Sequence, residues 1–328
     1  MKKVFVTGAD GMLGSNICRE LIKQGFLVKA FCLPNKTITT LNGLSIEIAH
    51  GDVLSKPMLF NEMKGCDFVI HVAALTNIWP RRNYKVNEVN LTGTKNVMEA
   101  AEELKITRMV HIGSASSFEH GSNKNPGNEL LEFNGWKYGM DYLESKYLAQ
   151  KLLLEKHAST GFPVIIINPT FMIGAFDSGP SSGQMIISLF KETIPGYTSG
   201  GKNFVCSTDV ACAVVNALYK GKIGECYIAG NENLKFKEFF TKAATVMGKK
   251  FKLKQIPQPL VLLVGAINSF ISRITFRTPS ISYGMAKFAS INQCFSSLKA
   301  VNELNMPQTP IEDGIKDCFE WFKTNGYL

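Results

Sequence analysis

The stretch KVFVTGADGMLGSNI, residues 3–17, decides the fold of this chain. It begins with a short apolar run that predicts a β-strand, and it continues into an amphipathic pattern that predicts an α-helix. Three glycines, Gly8, Gly11 and Gly14, lie in the turn between the two. Gly8 permits the tight turn, Gly11 lets phosphates approach the backbone, and Gly14 lets the helix pack closely on the strand.

The start of this helix predicts a dinucleotide-binding site. Met12 and Leu13 lie in the glycine turn, where they are expected to contact the cofactor, and the helix predicted over 15–25 follows at once. The backbone N–H groups at its start have no partner within the helix. These N–H groups and the helix dipole favour the negative charge of a pyrophosphate. A merely tight turn is the alternative interpretation, but the position directly after the first strand favours dinucleotide binding.

Short apolar runs alternate with helical patterns through the first half of the chain. FLVKAFC (26–32), CDFVIHVAA (66–74) and PVIIINP (163–169) are nearly continuous apolar runs. Such runs are typical of strands in a parallel sheet that helices cover on both faces. The alternation predicts an α/β fold with a Rossmann-type, doubly wound parallel sheet.

The pattern becomes irregular after the sixth predicted strand, which suggests a division of the chain. We expect a dinucleotide-binding core over residues 1–169, to which residues 204–230 return. Residues 170–203 and 231–328 would form a smaller, mostly helical lobe that binds the substrate. Two glycine-rich and serine-rich segments of this lobe predict loops, AFDSGPSSG (175–183) and GYTSGGKN (196–203).

Composition and charge argue against several classes of protein. The formal charge is +9, but Lys and Arg form no run longer than a pair, so we expect no nucleic-acid partner. Eight cysteines without CxxC spacing predict reduced thiols and a cytoplasmic location, and the five histidines lack metal-site spacing.

The apolar stretch 259–274 is shorter than the about 20 residues that a membrane span needs. It predicts a buried or interfacial helix, and no integral span.

Further dinucleotide contacts are predicted where strands end, because ligands bind at the carboxyl ends of parallel strands. Asp52 follows the third strand, where its carboxylate could accept a hydrogen bond from the adenine amino group, and Val53 is next to it. Ala73 and Ala74 end the fourth strand, and their small side chains leave room for ribose and phosphates.

The candidate catalytic residues follow the fifth strand. Ser114 ends that strand, and Tyr142 and Lys146 lie four positions apart on the next helix, hence on one face. A nearby lysine cation is expected to lower the pKa of the tyrosine from its ordinary value near 10. The pair could then exchange a proton with an oxygen that Ser114 polarises, while nicotinamide exchanges a hydride. An ordinary surface pair is the alternative.

Together these motifs resemble those of the extended short-chain dehydrogenases/reductases, the NAD-dependent epimerase/dehydratase family. Within that family they look most similar to the dihydroflavonol reductase-like branch. The resemblance covers nearly the whole chain. The stretches that carry it are TGADGMLG (7–14), GDV (51–53), HVAA (71–74), NLTGT (90–94), HIGSAS (111–116), YLESK (142–146), INPTFMIG (167–174) and NFVCSTDVA (203–211).

The resemblance implies roles for the catalytic residues. Tyr142 would be the acid/base, Lys146 would tune it and bind the nicotinamide ribose, and Ser114 would orient the substrate oxygen with help from Ser116. Asn90 would support the active-site backbone or a proton relay, although helix capping and packing would explain it equally well.

The resemblance also implies further contacts. Pro169 and Thr170 would lie near the nicotinamide carboxamide. Relatives often form homodimers through the helices that begin near residues 90 and 142, so a homodimer is expected here too.

Two departures from the family's pattern bear on the choice of cofactor. Many relatives that use NAD end the second strand with an acidic residue, where this chain has Cys32, and NADP-using relatives often place an arginine just beyond, where it has Leu33. No carboxylate would then repel a 2′-phosphate, which Lys36, or less plausibly Lys29, would bind. NADP is therefore preferred over NAD. Separately, Gly113 stands where relatives commonly carry a serine.

The predicted function is an NAD(P)-dependent oxidoreductase. It would transfer a hydride between nicotinamide and the carbonyl or alcohol carbon of a small, partly hydrophobic substrate. One alternative is a sugar or nucleotide-sugar epimerase or dehydratase with tightly bound NAD. Another is a non-catalytic NADP-binding sensor or interaction protein. Trp136 and Tyr138, just before Tyr142, would either stack on a substrate ring or anchor their own loop.

Overall fold

The computed structural model describes residues 1–34, 38–250, 252–275, 279 and 281–328. The described strands form two sheets. They are β1 (Lys3–Thr7), β2 (Leu27–Cys32), β3 (Glu47–His50), β4 (Phe68–His71), β5 (Arg108–Ile112), β6 (Val164–Pro169), β7 (Phe171–Ile173), β8 (Gly201–Cys206), β9 (Cys226–Ala229), β10 (Glu232–Lys235) and β11 (Asn292–Gln293).

The larger sheet has seven strands in the order β3-β2-β1-β4-β5-β6-β9. Every neighbouring pair in it is parallel. This confirms the predicted doubly wound sheet. The strand order reverses between β1 and β4, and in such sheets the ligand crevice lies at that reversal, outside the carboxyl ends of the strands.

Helices flank the larger sheet and make up most of the C-terminal region. A π-helical turn, Glu88–Thr92, joins the third and fourth of them. The described helices are α1 (Met12–Lys23), α2 (Lys56–Met63), α3 (Tyr84–Asn87), α4 (Gly93–Glu103), α5 (Asp141–Thr160), α6 (Gln184–Phe190), α7 (Ser207–Asn216), α8 (Phe236–Val246), α9 (Gln258–Thr275), α10 (Tyr283–Ala289), α11 (Leu298–Leu304) and α12 (Ile311–Thr324).

Two apolar layers hold the helices against the larger sheet. On one face, Ile17 of α1 and Val214 of α7 are fully buried. On the other face, Leu59 of α2, Val97 of α4 and Leu153 of α5 are fully buried as well. Each such side chain stabilises the fold by about 1.5–3 kcal/mol relative to an exposed position, so the strand ends that form the site stand on a rigid base.

The smaller sheet lies in the lobe that follows β6. Strands β7, β10 and β11 all pair with β8, and α6, α8 and α12 pack around it. The prediction of a loop over residues 196–203 is wrong at its end, because β8 begins at Gly201. A Cβ at Gly201 would lie 2.4 Å from the carbonyl oxygen of Leu234, so this glycine permits close strand pairing.

Candidate active site

The glycine turn after β1 is shaped by backbone contacts. Gly8 has φ +63°, and a Cβ there would lie 2.7 Å from the Cα of Ala73. A Cβ at Gly14 would lie 2.1 Å from the carbonyl oxygen of Gly8. The nearest atom to a Cβ at Gly11, in contrast, would be that same oxygen at 3.5 Å. The fold therefore requires glycine at positions 8 and 14. At Gly11, the lack of a side chain instead leaves an exposed surface of the turn uncovered.

The first turn of α1 meets this bare surface. Gly11 is the N-cap with extended backbone, and no side chain caps the helix there. Met12 is half-buried, while the side chain of Leu13 is buried in the core, so Leu13 could reach a ligand only through its backbone. The uncapped N–H groups fit a pyrophosphate.

The end of β4 is fixed against the glycine turn through Thr7. The Thr7 hydroxyl accepts hydrogen bonds from the backbone N–H groups of Val72 and Ala73, each at 3.2 Å. It also contacts Nδ1 of His71 at 2.8 Å. Burial lowers the pKa of His71 to about 3, so this ring is neutral and structural. Ala73 and Ala74 are half-buried beside the turn, where the sequence places them.

The candidate adenine side of the crevice lies after β3. One carboxylate oxygen of Asp52 accepts the backbone N–H of Leu54 at 2.9 Å. Val53 is buried, and a Cβ at Gly93 would lie 2.8 Å from its side chain, so Val53 packs on α4. Val53 therefore joins the segment after β3 to α4.

The residues that would select the cofactor lie in β2 and just after it. Lys36 falls outside the residues that the structure describes. Lys29 is an unsuitable phosphate ligand, because its ammonium is paired with Glu47 at 3.0 Å and with Glu62 at 2.8 Å. Cys32 is buried and Leu33 is exposed, so neither supplies a charge at the strand end.

Ser114, Tyr142 and Lys146 meet at the carboxyl end of β5. The side chain of Ser114 lies close enough to the hydroxyl group of Tyr142 to lower the pKa of the tyrosine. The Lys146 ammonium donates to the carbonyl oxygen of Ile112 at 2.9 Å, and the Ser114 and Ser116 hydroxyl oxygens are 2.7 Å apart. The predicted constellation is thus brought together in space by β5 and α5.

The electrostatics of this group differ from the expectation. Burial raises the pKa of Tyr142 above its ordinary value, and the hydrogen bond from Ser114 offsets that only in part. Burial also lowers the pKa of Lys146 to about 8. The expected lowering of the tyrosine pKa by Lys146 is therefore wrong for this structure, because desolvation dominates. Tyr142 carries its proton at neutral pH.

Asn90 holds the backbone that follows β4. Its side-chain oxygen accepts the N–H of Leu75 at 2.8 Å, and its amide donates to the carbonyl of Leu75 at 2.9 Å. The amide also donates to the hydroxyl of Ser145 at 3.0 Å. These contacts tie the loop after β4 to the helix that carries Tyr142, as expected of a residue that supports the active-site backbone.

Pro169 ends β6, and Thr170 follows it next to the second sheet. Pro169 is buried, and the backbone N–H of Thr170 donates to the carbonyl of Ala229 at 3.0 Å. The Thr170 hydroxyl donates to the side-chain oxygen of Asn203 at 2.8 Å. Thr170 therefore joins the end of β6 to β8 at the predicted edge of the crevice.

Asn168 was not predicted from the sequence, and it explains the unusual glycine at position 113. Its side-chain oxygen accepts the backbone N–H of Ser114 at 2.9 Å. A Cβ at Gly113 would lie 2.2 Å from that same oxygen. Asn168 therefore fixes Ser114 through a space that only Gly113 leaves open. The signal in the sequence is one polar residue inside an apolar strand.

We expect Asn168→Ala to lower the turnover number about tenfold, because Ser114 loses the group that positions its backbone. Loss of a buried hydrogen bond should also lower the free energy of unfolding by about 1–3 kcal/mol. Asn96→Ala is the matched control, since the Asn96 side chain also hydrogen-bonds to backbone: its amide donates to the carbonyl oxygens of Val53 and Leu54, each at 3.1 Å. Equal turnover by both variants in steady-state kinetics, at comparable stability, would contradict the role of Asn168.

Lys202 is a second residue that the sequence did not reveal. Its ammonium lies 5.1 Å from the ring centre of Phe171 and 4.8 Å from that of Phe288. It donates to the side-chain oxygen of Gln293 at 3.1 Å, and burial lowers its pKa to about 8. Phe171 directly follows Thr170, so this cation lies close to the carboxyl end of β6.

Aromatic contacts fix the loop that precedes Tyr142. Trp136 contacts Phe133 and Tyr147 edge-on, with ring centres 4.8 and 5.6 Å apart. Tyr138 is buried and contacts Phe288 edge-on at 5.3 Å. Of the two interpretations that the sequence left open, these contacts favour anchoring of the loop over stacking on a substrate.

Comparisons with known proteins agree with this geometry. The model of the NAD dependent epimerase/dehydratase family matches residues 4–230. A Synechocystis protein provisionally named a dihydroflavonol 4-reductase is 29% identical over 99% of this chain and 95% of its own length. Sterol demethylase protein B of Methylococcus capsulatus is 27% identical, over 99% of each chain. The crystal structure of gox2253 superposes with a TM-score of 0.88 at 28% identity and covers 100% of both chains. The chain therefore belongs to the NAD-dependent epimerase/dehydratase family, the extended short-chain dehydrogenases/reductases, and it is an oxidoreductase.

Proposed function

We propose that this chain is an NADP-dependent reductase that converts a carbonyl group of a small, partly hydrophobic substrate into an alcohol. The observation that carries the proposal is the meeting of Ser114, Tyr142 and Lys146 at one strand end. Lys146 lies one turn beyond Tyr142 on α5, and its ammonium donates to the carbonyl oxygen of Ile112 at 2.9 Å, two residues before Ser114. This group stands at the carboxyl end of β5, the edge at which the glycine turn after β1 also lies.

The residues divide the chemistry among them. When bound, the nicotinamide supplies the hydride for the carbonyl carbon. The Ser114 hydroxyl donates a hydrogen bond to the carbonyl oxygen, and the Tyr142 hydroxyl transfers its proton to that oxygen as negative charge develops there. The Lys146 cation stabilises the resulting phenolate until solvent restores its proton. The raised pKa of Tyr142 keeps the proton available, which favours the direction of reduction.

The preference for NADP rests on the end of β2. A carboxylate there would bind the ribose hydroxyls of NAD and repel the 2′-phosphate of NADP. Cys32 and Leu33 carry no such charge. We assign Lys36 as the cation that contacts the phosphate.

Several further parts of the proposal follow from the same residues. Residues 170–203 and 231–328 would bind the substrate against the core of 1–169 and 204–230. A partly hydrophobic substrate suits the aromatic residues Phe171 and Phe288 around Lys202. The proposed enzyme acts in the cytoplasm as a homodimer, which α4 and α5 would form.

The experiment that tests the proposed activity uses NADPH deuterated at the transferable position of C4. The purified chain is incubated with a panel of aldehydes and ketones, and products are analysed by mass spectrometry. We expect one deuterium in each alcohol formed and one NADPH consumed per product. Interconversion of nucleotide sugars without net consumption of nucleotide would instead support an epimerase or dehydratase.

The burial of Lys146 predicts a pH dependence of the reaction. Its pKa of about 8 lies below the ordinary value, so the cation is lost as pH rises through about 8. Tyr142, whose pKa is raised, keeps its proton over that range. We expect kcat/KM for carbonyl reduction to be flat at neutral pH and to fall about tenfold per pH unit above about 8. A rate that rises from pH 8 to 10 would contradict these roles.

A further inference from the structure

Helix α9 has an unpartnered apolar surface. Its buried positions, Val261, Gly265 and Ser272, lie on one side. A Cβ at Gly265 would lie 2.9 Å from the side chain of Ala286, so this side packs closely on α10. The opposite side consists of large apolar residues that are 49–66% exposed, which we call the apolar stripe: Leu260, Leu263, Ile267, Phe270, Ile271 and Ile274.

The spacing of the apolar stripe matches one face of a helix, since its members recur every three or four residues. Within the described part of the chain, α9 is the one helix long and apolar enough to cross a membrane, yet only 17% of its 18-residue window is buried. A core helix would be mostly buried. Soluble proteins rarely leave a continuous apolar surface of this size to water, so the stripe indicates a binding surface.

The distribution of charge indicates what binds there. Residues 239–302 contain nine of the 36 Lys and Arg residues and none of the 27 Asp and Glu residues, so the rest of the chain holds 27 of each sign. Lys242 and Lys299 are paired with glutamates of other segments. Lys250, Lys252 and Lys254, just before α9, are exposed. An apolar helix face with flanking lysines is typical of helices that lie in the surface of an anionic bilayer.

A small cavity at the edge of the apolar stripe fits the same partner. It measures about 200 Å³, and Trp79, Arg81, Phe270, Arg273 and Tyr283 are among its lining residues. Arginine binds phosphate well, and Trp and Tyr are enriched where membrane proteins meet lipid headgroups. A second copy of this chain is a poorer partner, because symmetric pairing of the stripe would bring the same basic segments together.

We propose that the apolar stripe docks the enzyme on an anionic phospholipid membrane, with α9 parallel to the surface. A spanning orientation would draw α10 and its Lys287 into the hydrocarbon, because α10 packs along α9. This proposal goes beyond the catalytic function and does not depend on it. Docking would place the substrate lobe against the bilayer.

The test is co-sedimentation of the full chain with vesicles in 150 mM salt. We expect at least tenfold stronger partitioning into equimolar phosphatidylglycerol and phosphatidylcholine vesicles than into pure phosphatidylcholine. Binding to the vesicles that contain phosphatidylglycerol should be at least tenfold weaker for the double variant Leu263→Gln/Phe270→Gln. The same loss is expected for the triple variant Lys250→Gln/Lys252→Gln/Lys254→Gln. The matched control is Leu130→Gln/Leu298→Gln, which changes two leucines outside the apolar stripe that are 89% and 69% exposed. This control should bind vesicles as strongly as the wild type. Thermal melts should be unchanged for all three variants.

Four results would overturn the proposal. The first is wild-type protein that stays in the supernatant with anionic vesicles. The second is equal binding by the Leu263→Gln/Phe270→Gln variant. The third is a wild-type protein that forms a dimer in solution and does not bind vesicles, when the same variant abolishes the dimer. That result would make the apolar stripe an interface between copies of the chain. The fourth is resistance of the bound protein to alkaline carbonate extraction, which would indicate a spanning helix.

Discussion

Replacing Tyr142 with phenylalanine is expected to reduce carbonyl reduction by a factor of about 10²–10⁴, because the group that gives up the proton is removed. The phenyl ring keeps the packing of this half-buried side chain, so the melting temperature and the dissociation constant for NADPH should stay close to the wild-type values. Fluorescence titration of NADPH and single-turnover kinetics measure the two effects separately.

Tyr147→Phe is the control for this variant. Tyr147 lies on the same helix, and its ring stacks on Phe133 with ring centres 4.4 Å apart. Removal of the Tyr147 hydroxyl group should leave the turnover number within about twofold of the wild-type value. Full turnover by Tyr142→Phe would contradict the catalytic role of Tyr142. A second contradicting outcome is that neither the wild type nor Tyr142→Phe reduces any carbonyl, while the substitution leaves the cellular phenotype unchanged. In either case the non-catalytic NADP sensor would become the better interpretation.

Gly14→Ala is expected to damage both the fold and the cofactor site. Its Cβ would lie 2.1 Å from the carbonyl oxygen of Gly8 and 2.8 Å from the Cα of Ala9, and both are backbone atoms that cannot move independently. Overpacking of this kind costs about 1–3 kcal/mol of the free energy of unfolding, and it displaces α1 from β1. Urea denaturation should show the loss, and NADPH binding should fall at least tenfold.

Gly11→Ala separates cofactor binding from folding. A Cβ at this position would lie 3.5 Å from the nearest atom of the turn, the carbonyl oxygen of Gly8, so the free energy of unfolding should change by less than about 1 kcal/mol. The added methyl group would nevertheless occupy the surface where the pyrophosphate is expected, and NADPH binding should weaken at least tenfold. Wild-type affinity in Gly11→Ala would show that the phosphates bind elsewhere.

The larger sheet could be predicted because its evidence is local. The strand before the glycine turn and the apolar runs at 66–74 and 163–169 each mark one buried strand, and short connections leave few topologies. Ser114, Tyr142 and Lys146 could be placed at one edge for the same reason, since they follow strand ends. The structure brings these three together.

Other features depend on contacts between distant segments, which no local pattern contains. Asn168 binds the backbone of Ser114 across neighbouring strands, and Lys202 lies between rings that are distant from it in sequence. The glycine at position 201 predicts a loop, but it serves strand pairing with β10. The direction of the Tyr142 pKa shift follows from burial, which spacing on a helix does not reveal.

The most direct test of the central claim is to denature the purified protein and identify any nucleotide that it releases. We predict NADP, or an empty protein that binds NADPH at least tenfold more tightly than NADH on titration, because a reductase exchanges its cofactor in every turnover. Tightly held NAD that survives purification would contradict the account and would indicate the closed redox cycle of an epimerase or dehydratase.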